Sequence, residues 1–94
     1  MEITWDQVKA MEKESYVLVD VRTYEESNLG KVPSAIALSY EVEPELFAIL
    51  PKDKKIFVYC NRGNESLQVQ KELSDKGYDA YSIKGGYFAF LKEL

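Results

Sequence analysis

Apolar residues recur along this chain in short blocks with two different periods. Ile3-Thr4-Trp5-Asp6-Gln7-Val8 has the spacing of a helix start. Thr4 stands where an N-cap would, Gln7 follows three residues later as in a capping box, and Ile3 can close onto Val8. The pattern predicts a helix to about Lys13, with Trp5, Val8 and Met11 facing inward. Tyr16-Val17-Leu18-Val19-Asp20-Val21 is different: nearly continuous and β-branched, it reads as a parallel strand covered on both faces. Thr23 to Glu26 repeats the capping-box spacing, so a helical turn should follow. Gly30 then breaks the chain, and Pro33 leads into a short strand over residues 35–38.

Pro44 to Leu50 predicts a short helix with proline in its first turn. Lys55 to Tyr59 is the third strand and the most central by its hydrophobicity. Ser66 to Lys76 reads as the best-formed helix, with Leu67, Val69, Gln70 and Leu73 on its inner side and Gly77 as its stop. Tyr78 to Ile83 predicts a fourth strand. Gly85-Gly86 marks a tight turn before an apolar C-terminal helix over residues 87–91. Helix and strand alternate throughout, which predicts one α/β domain over residues 1–94, with a mainly parallel sheet of four to five strands and helices on both faces.

Composition narrows the possibilities. No apolar run reaches the roughly 18 residues of a membrane span, and no signal-peptide pattern opens the sequence. A lone cysteine cannot form an internal disulfide, so a reducing, cytoplasmic setting is expected. One cysteine and no histidine argue against a zinc site, and neither a metal nor a cofactor is expected. The net charge of −4 argues against nucleic acid as a partner. Residues 1–50 carry four basic and ten acidic side chains, residues 51–94 eight basic and six acidic. The half that holds the cysteine is therefore the more basic one.

That cysteine, Cys60, falls directly after the third strand. Ligands of open parallel sheets bind beyond the carboxyl ends of the strands. The backbone N–H groups of residues 61–66 can curl into an anion-binding nest, and the following helix adds its positive end. Gly63 lets the loop turn and approach a ligand, while Arg62 brings a full positive charge. Both arrangements favour a thiolate. A free cysteine can equally be a small core residue; its place at the end of the apolar run, where the chain emerges beside Asn61 and Arg62, favours chemistry. Other candidates have plainer readings. Asp20 and Arg22 brace a strand end through hydrogen bonds and an ion pair, Glu41, Glu43 and Glu45 form a solvated face, and Ser66 either donates to the sulfur or, as the plainer reading, caps its helix. Most aromatic residues, such as Tyr16, Phe57 and Phe88, lie in strand or helix patterns as core or semi-exposed packing rather than as a base-stacking surface.

The chain resembles the single-domain rhodaneses, a family of sulfurtransferases. Asp20-Val21-Arg22, Tyr24-Glu25-Glu26 and Gly30-Lys31-Val32-Pro33-Ser34-Ala35 follow the family's D-V-R…E-E/F…G-H-I-P-G-A stretch. Val58 to Ser66 follows its Y-C-x-x-G-x-R-S loop, and Lys76-Gly77-Tyr78 and Gly85-Gly86 follow its later glycine features. The resemblance implies a rhodanese-like three-layer fold. It also implies a sulfurtransferase in which Cys60 carries a persulfide. Asn61, Arg62, Gly63, Asn64, Glu65 and Ser66 would form the cradle, with Arg62 steering an anionic donor. The partners would be a small sulfur donor such as thiosulfate, a thiol or cyanide acceptor, or a protein that carries a persulfide. An alternative is a rhodanese-fold module that binds or regulates without turnover. Three positions depart from the pattern. Glu65 stands where many members have arginine, which predicts low activity on thiosulfate. Lys31 replaces histidine and Phe90 replaces tryptophan, as surface and packing changes. Phosphatases with a similar cysteine loop need C-x5-R, and here the sixth position after Cys60 is Ser66.

Overall fold

The computed structural model describes residues 1–93. Its elements are β1 (Glu2–Ile3), α1 (Trp5–Lys9), a 3-10 turn (Lys13–Ser15), β2 (Tyr16–Asp20), α2 (Tyr24–Leu29) and β3 (Ile36–Ala37). A second 3-10 segment (Pro44–Ile49), β4 (Lys55–Tyr59), α3 (Glu65–Asp75), β5 (Asp79–Ile83) and α4 (Gly86–Lys92) follow. The strands form one sheet in the order β1-β5-β4-β2-β3, and every pairing is parallel. β4 is central, as its hydrophobicity predicts.

The two-residue period of a strand divides the core into two halves. Along β4, Ile56 and Val58 point to one face and Phe57 and Tyr59 to the other. The first face packs against Val69 and Leu73 of α3 and Phe47 of the second 3-10 segment. The second packs against Trp5 and Val8 of α1, with Tyr87 and Phe90 of α4 beside them. Ile56, Phe57, Val58 and Tyr59 are all fully buried, so β4 is sealed on both sides. This is the three-layer arrangement. Cys60 continues the alternation onto the α3 face.

Several sequence expectations are revised. The first helix stops at Lys9 rather than near Lys13, because Glu12 is extended and the chain must turn into β2. Thr4 and Gln7 do form the capping box, as do Thr23 and Glu26. The short helix expected after Pro44 forms, in 3-10 geometry. β1 was not foreseen, since two residues carry no period; it pairs with β5 at the sheet edge. Within α3 the buried residues are Ser66, Val69, Gln70 and Leu73, while Leu67 is only half-buried.

The start of α4 is built against the end of β4. The N–H groups of Tyr87 and Phe88 donate to the carbonyls of Cys60 and Asn61 at 2.8 and 3.0 Å. The indole N–H of Trp5 donates to the Gly86 carbonyl at 2.9 Å. Gly86 has φ 56°, and a Cβ there would lie 2.2 Å from the Cys60 carbonyl oxygen. Gly86→Ala therefore forces backbone apart in addition to its left-handed strain. It is expected to destabilise the fold by about 2 kcal/mol, which lowers Tm by roughly 10 °C in a domain of this size. Thermal unfolding followed by circular dichroism checks this, and an unchanged Tm would contradict the close packing.

Candidate active site

Three segments meet at the carboxyl end of the sheet: the residue pair closing β2, the loop from Cys60 to α3, and the turn entering α4. Asp20, fully buried, ends β2. Its carboxylate accepts from Arg22 Nη2 at 2.6 Å, from Arg22 Nε at 3.0 Å, and from the Tyr59 hydroxyl at 2.9 Å. Arg22 extends the network by donating to the Gly30 carbonyl at 2.6 Å and to Asn61 Oδ1 at 3.1 Å, and it lies 4.2 Å from the centre of the Tyr87 ring. Burial works against the guanidinium charge, but the Asp20 carboxylate outweighs it and holds the Arg22 pKa above its ordinary value. Burial also pushes the Tyr59 phenol well up, so it remains a donor. Asp20 and Arg22 thus meet at the end of β2 in one hydrogen-bonded ion pair.

Asn61 is oriented from two sides, accepting from Arg22 and donating to Glu26 Oε2 at 2.6 Å. Glu26 is held in turn by its capping bonds to Thr23. The Asn61 hydrogen bond is the main cause that lowers the Glu26 pKa. The first residue after the cysteine is thus fixed to α2, and its side chain is not part of the bonds around the sulfur.

Those bonds come from the backbone and one hydroxyl. The N–H of Gly63 donates to Cys60 Sγ at 3.1 Å and that of Ser66 at 3.3 Å. The Ser66 hydroxyl lies 3.4 Å from Sγ and 2.6 Å from the Ser82 hydroxyl on β5. Gly63 has φ 99°, which closes the loop over Ile83 and Gly85. Burial raises the Cys60 pKa, yet the Ser66 hydroxyl and the N–H groups of Ser66, Gly63 and Arg62 together bring it below the ordinary thiol value. Cys60 itself is only 4% exposed, so it does not emerge into solvent as its sequence position suggests. It is reached instead through cavities. One of about 300 Å³ is lined by Cys60, with Val21, Tyr40 and Val69 as apolar walls. A second is lined by Cys60 and Glu65 together with Arg62, Asn64 and Phe88.

The remaining loop residues take different places. Arg62 is exposed and lies 5.4 Å from the Phe88 ring centre. Asn64 is the N-cap residue of α3 but makes no side-chain capping bond. Glu65 is exposed, opens α3 and borders both cavities; among the described residues it forms no ion pair with Arg62. Ser66 does not cap its helix, the plainer of its two readings, but lies against the sulfur. The helix starts one residue earlier, and its fully buried hydroxyl turns inward to Sγ and Ser82.

Ser82, Tyr59, Glu26 and Tyr87 are parts of the site that the sequence reading passed over. Ser82 left a trace: it is a polar residue in an apolar strand pattern, at an inward position. Lys31 donates to the Ala35 carbonyl, and Phe90 packs 5.3 Å from the Trp5 ring. Glu41 and Glu45 are exposed and Glu43 accepts from the Tyr24 hydroxyl. Among the described residues no group of three His, Cys, Asp or Glu side chains is placed to hold a metal.

Comparison with known proteins agrees with this geometry. The family model for the rhodanese-like domain matches residues 4–93. The chain belongs to that family. It is 32% identical over 80 residues to a sulfurtransferase of Allochromatium vinosum, covering 84% of this chain and 75% of that protein. It is 44% identical over 70 residues to a tRNA sulfurtransferase of Desulfurococcus amylolyticus, covering 74% of this chain but only 14% of that much longer protein. Among solved structures it is similar to a rhodanese-related protein of Thermoplasma volcanium, with a TM-score of 0.88 and 27% identity over 98% of this chain and 91% of that one. The fold is rhodanese-like, and the family is one of sulfurtransferase-type enzymes.

The hydroxyl pair behind the sulfur gives a direct prediction. A hydrogen bond to an ionised group contributes about 1.5–3 kcal/mol, and 1.36 kcal/mol corresponds to a tenfold change in ionisation. Ser66→Ala should raise the midpoint of the pH profile for Cys60 alkylation by about one pH unit. Ser82→Ala should raise it by less, since Ser82 acts only through Ser66. Iodoacetamide labelling followed across pH 5 to 10 checks both, and equal midpoints in all three proteins would rule the hydroxyls out.

Proposed function

We propose that this chain is a sulfurtransferase that moves a sulfane sulfur through a persulfide on Cys60. The observation that supports it most is the buried Sγ, ringed by backbone N–H donors and the Ser66 hydroxyl and opening onto a cavity. In the first half-reaction the Cys60 thiolate attacks the outer sulfur of a donor such as thiosulfate. A new S–S bond forms, the old one breaks, and sulfite leaves with its electron pair. The persulfide anion then occupies the N–H cradle, which needs no rearrangement to stabilise it. In the second half-reaction a thiol or cyanide takes the outer sulfur, and the Cys60 thiolate is the leaving group. A protein that carries a persulfide is a further donor of the same kind.

In this reading Arg22 and Asp20 hold Asn61 and the β2 end in place, and Arg62 steers an anionic donor from the Phe88 side. Residues 1–94 act as one unit in a reducing compartment. A phosphatase would need a cation at the sixth position after Cys60 to grip the phosphoryl oxygens, and Ser66 has none. The alternative, a binding module without turnover, is favoured by Glu65, whose charge faces the approach of an anion.

Mass spectrometry after incubation with thiosulfate, and separately with glutathione persulfide, tests the proposal. Wild type is expected to gain the mass of one sulfur atom, and Cys60→Ala to gain nothing. No adduct with either donor would leave the binding module as the better reading. Glu65→Arg should raise kcat/KM for thiosulfate by about tenfold, in line with electrostatic steering. Unchanged turnover would mean that Glu65 lies off the donor's path.

A further inference from the structure

The larger cavity at Cys60 has an unbalanced charge. Its charged lining residues are Arg22, Glu26, Glu41, Glu65 and Glu72. Arg22 is neutralised by its own bidentate partner, Asp20, behind it. Arg62, the remaining cation of the cysteine loop, does not line this cavity but borders the other one. Four carboxylates therefore face the larger cavity without a matching free cation among its lining residues. They come from separate elements: Glu26 from α2, Glu41 from the segment after β3, Glu65 and Glu72 from the first and second turns of α3. Glu26 is held in place by Asn61 and Thr23.

Clefts lined by one sign of charge raise the local concentration of the opposite sign and repel their own. A dianion such as thiosulfate meets like charge on this path. We infer that the larger cavity selects, as sulfur-exchange partner of Cys60, a thiol with a positive charge close to its sulfur. The site is the one in the proposed function, and the inference rests on that reading for its sulfur chemistry. The volume of about 300 Å³ suits a small aminothiol or the side chain of a cysteine flanked by lysine or arginine. In transfer, the partner thiolate attacks the outer sulfur of the Cys60 persulfide, and the Cys60 thiolate leaves with the electron pair of the broken S–S bond.

The charge preference can be read without turnover, by thiol–disulfide exchange at Cys60. The Cys60 thiolate attacks one sulfur of a symmetrical disulfide and forms a mixed disulfide, releasing one thiolate. The probes are cystamine, which is dicationic, bis(N-acetyl)cystamine, which is neutral, and dithiodipropionate, which is dianionic. Each rate is divided by that of free cysteine with the same probe at the same pH. At low salt cystamine is expected to react about tenfold faster than the neutral probe, and dithiodipropionate slower still. Raising the salt to 0.5 M should compress the series, and so should the Glu41→Lys variant. A parallel arm compares peptides Lys-Gly-Cys-Gly-Lys and Glu-Gly-Cys-Gly-Glu, each as its disulfide dimer. A larger charge ratio for the peptides than for the small probes assigns the preference to a protein cysteine, and a smaller one to a free aminothiol. Equal normalised rates at low salt, or a faster anionic probe, would overturn the inference. This outcome is separate from persulfide loading: failure to take up sulfur sinks the sulfurtransferase reading, while a flat charge series sinks only the selectivity.

Discussion

The buried ion pair between Asp20 and Arg22 is the interaction on which the rest of the site depends. Both side chains are almost wholly excluded from water. Isolated charges at that depth would be prohibitive, so each must be matched by charge and by hydrogen bonds. The matching uses several elements: Tyr59 from β4, the Gly30 carbonyl after α2, and Asn61 from the cysteine loop. Tyr87 of α4 covers the guanidinium face. A pair that needs so many partners fixes the relative position of every segment that supplies one. Its value lies in that specificity rather than in raw stability, because a buried salt bridge often does little better than an apolar replacement.

With the frame fixed, the cysteine loop can be short. Six residues separate the end of β4 from Ser66, and the chain closes on the sulfur with backbone N–H groups. Side chains in this loop are then free for other work. Asn61 is tied to α2, whereas Arg62 and Glu65 are exposed. Backbone donors suit the proposed cycle, in which the sulfur would alternate between thiolate and persulfide. They carry no proton to lose and are already oriented. Ser66 adds one adaptable member: its hydroxyl can accept from the thiol or donate to the thiolate, and Ser82 can take the opposite role behind it.

The sequence made the architecture legible wherever one period ran long enough. The continuous run ending at Tyr59 reads as a doubly covered central strand because both of its faces must be apolar. The capping boxes at Thr4 and Thr23 have a local cause and form as expected. The cysteine loop was legible because its position depends only on a strand end and a helix start. What stayed hidden depended on contacts between distant segments. Two-residue β1 is a strand only because β5 lies beside it. Ser66 has a capping residue's chemistry but an inward hydroxyl, since Ser82, sixteen residues away, offers a better partner than the helix end. The burial of Cys60 was misread for a related reason: polar neighbours in sequence do not expose a side chain that turns onto the α3 face, into the same buried cluster as Val21 and Val69.

Glu65 borders two cavities at Cys60 whose charged linings differ. On one side Arg62 lies against Phe88, exposed and able to attract an anion. On the other, carboxylates from α2, α3 and the segment after β3 surround an apolar-walled cavity. A transfer enzyme meets two substrates in turn at one sulfur, and these often differ in charge. Placing both attractions on one wall would cancel them, because opposite charges within a few ångströms pair with each other rather than with a ligand. Under the proposed reading a carboxylate at the first turn of α3 would keep the two fields apart, and the helix dipole favours it there. An arginine at the same position would join the Arg62 side and extend positive potential across the sulfur. Under the proposed reading, one residue at the helix start decides whether the site presents a single anion-binding face or two faces of opposite sign.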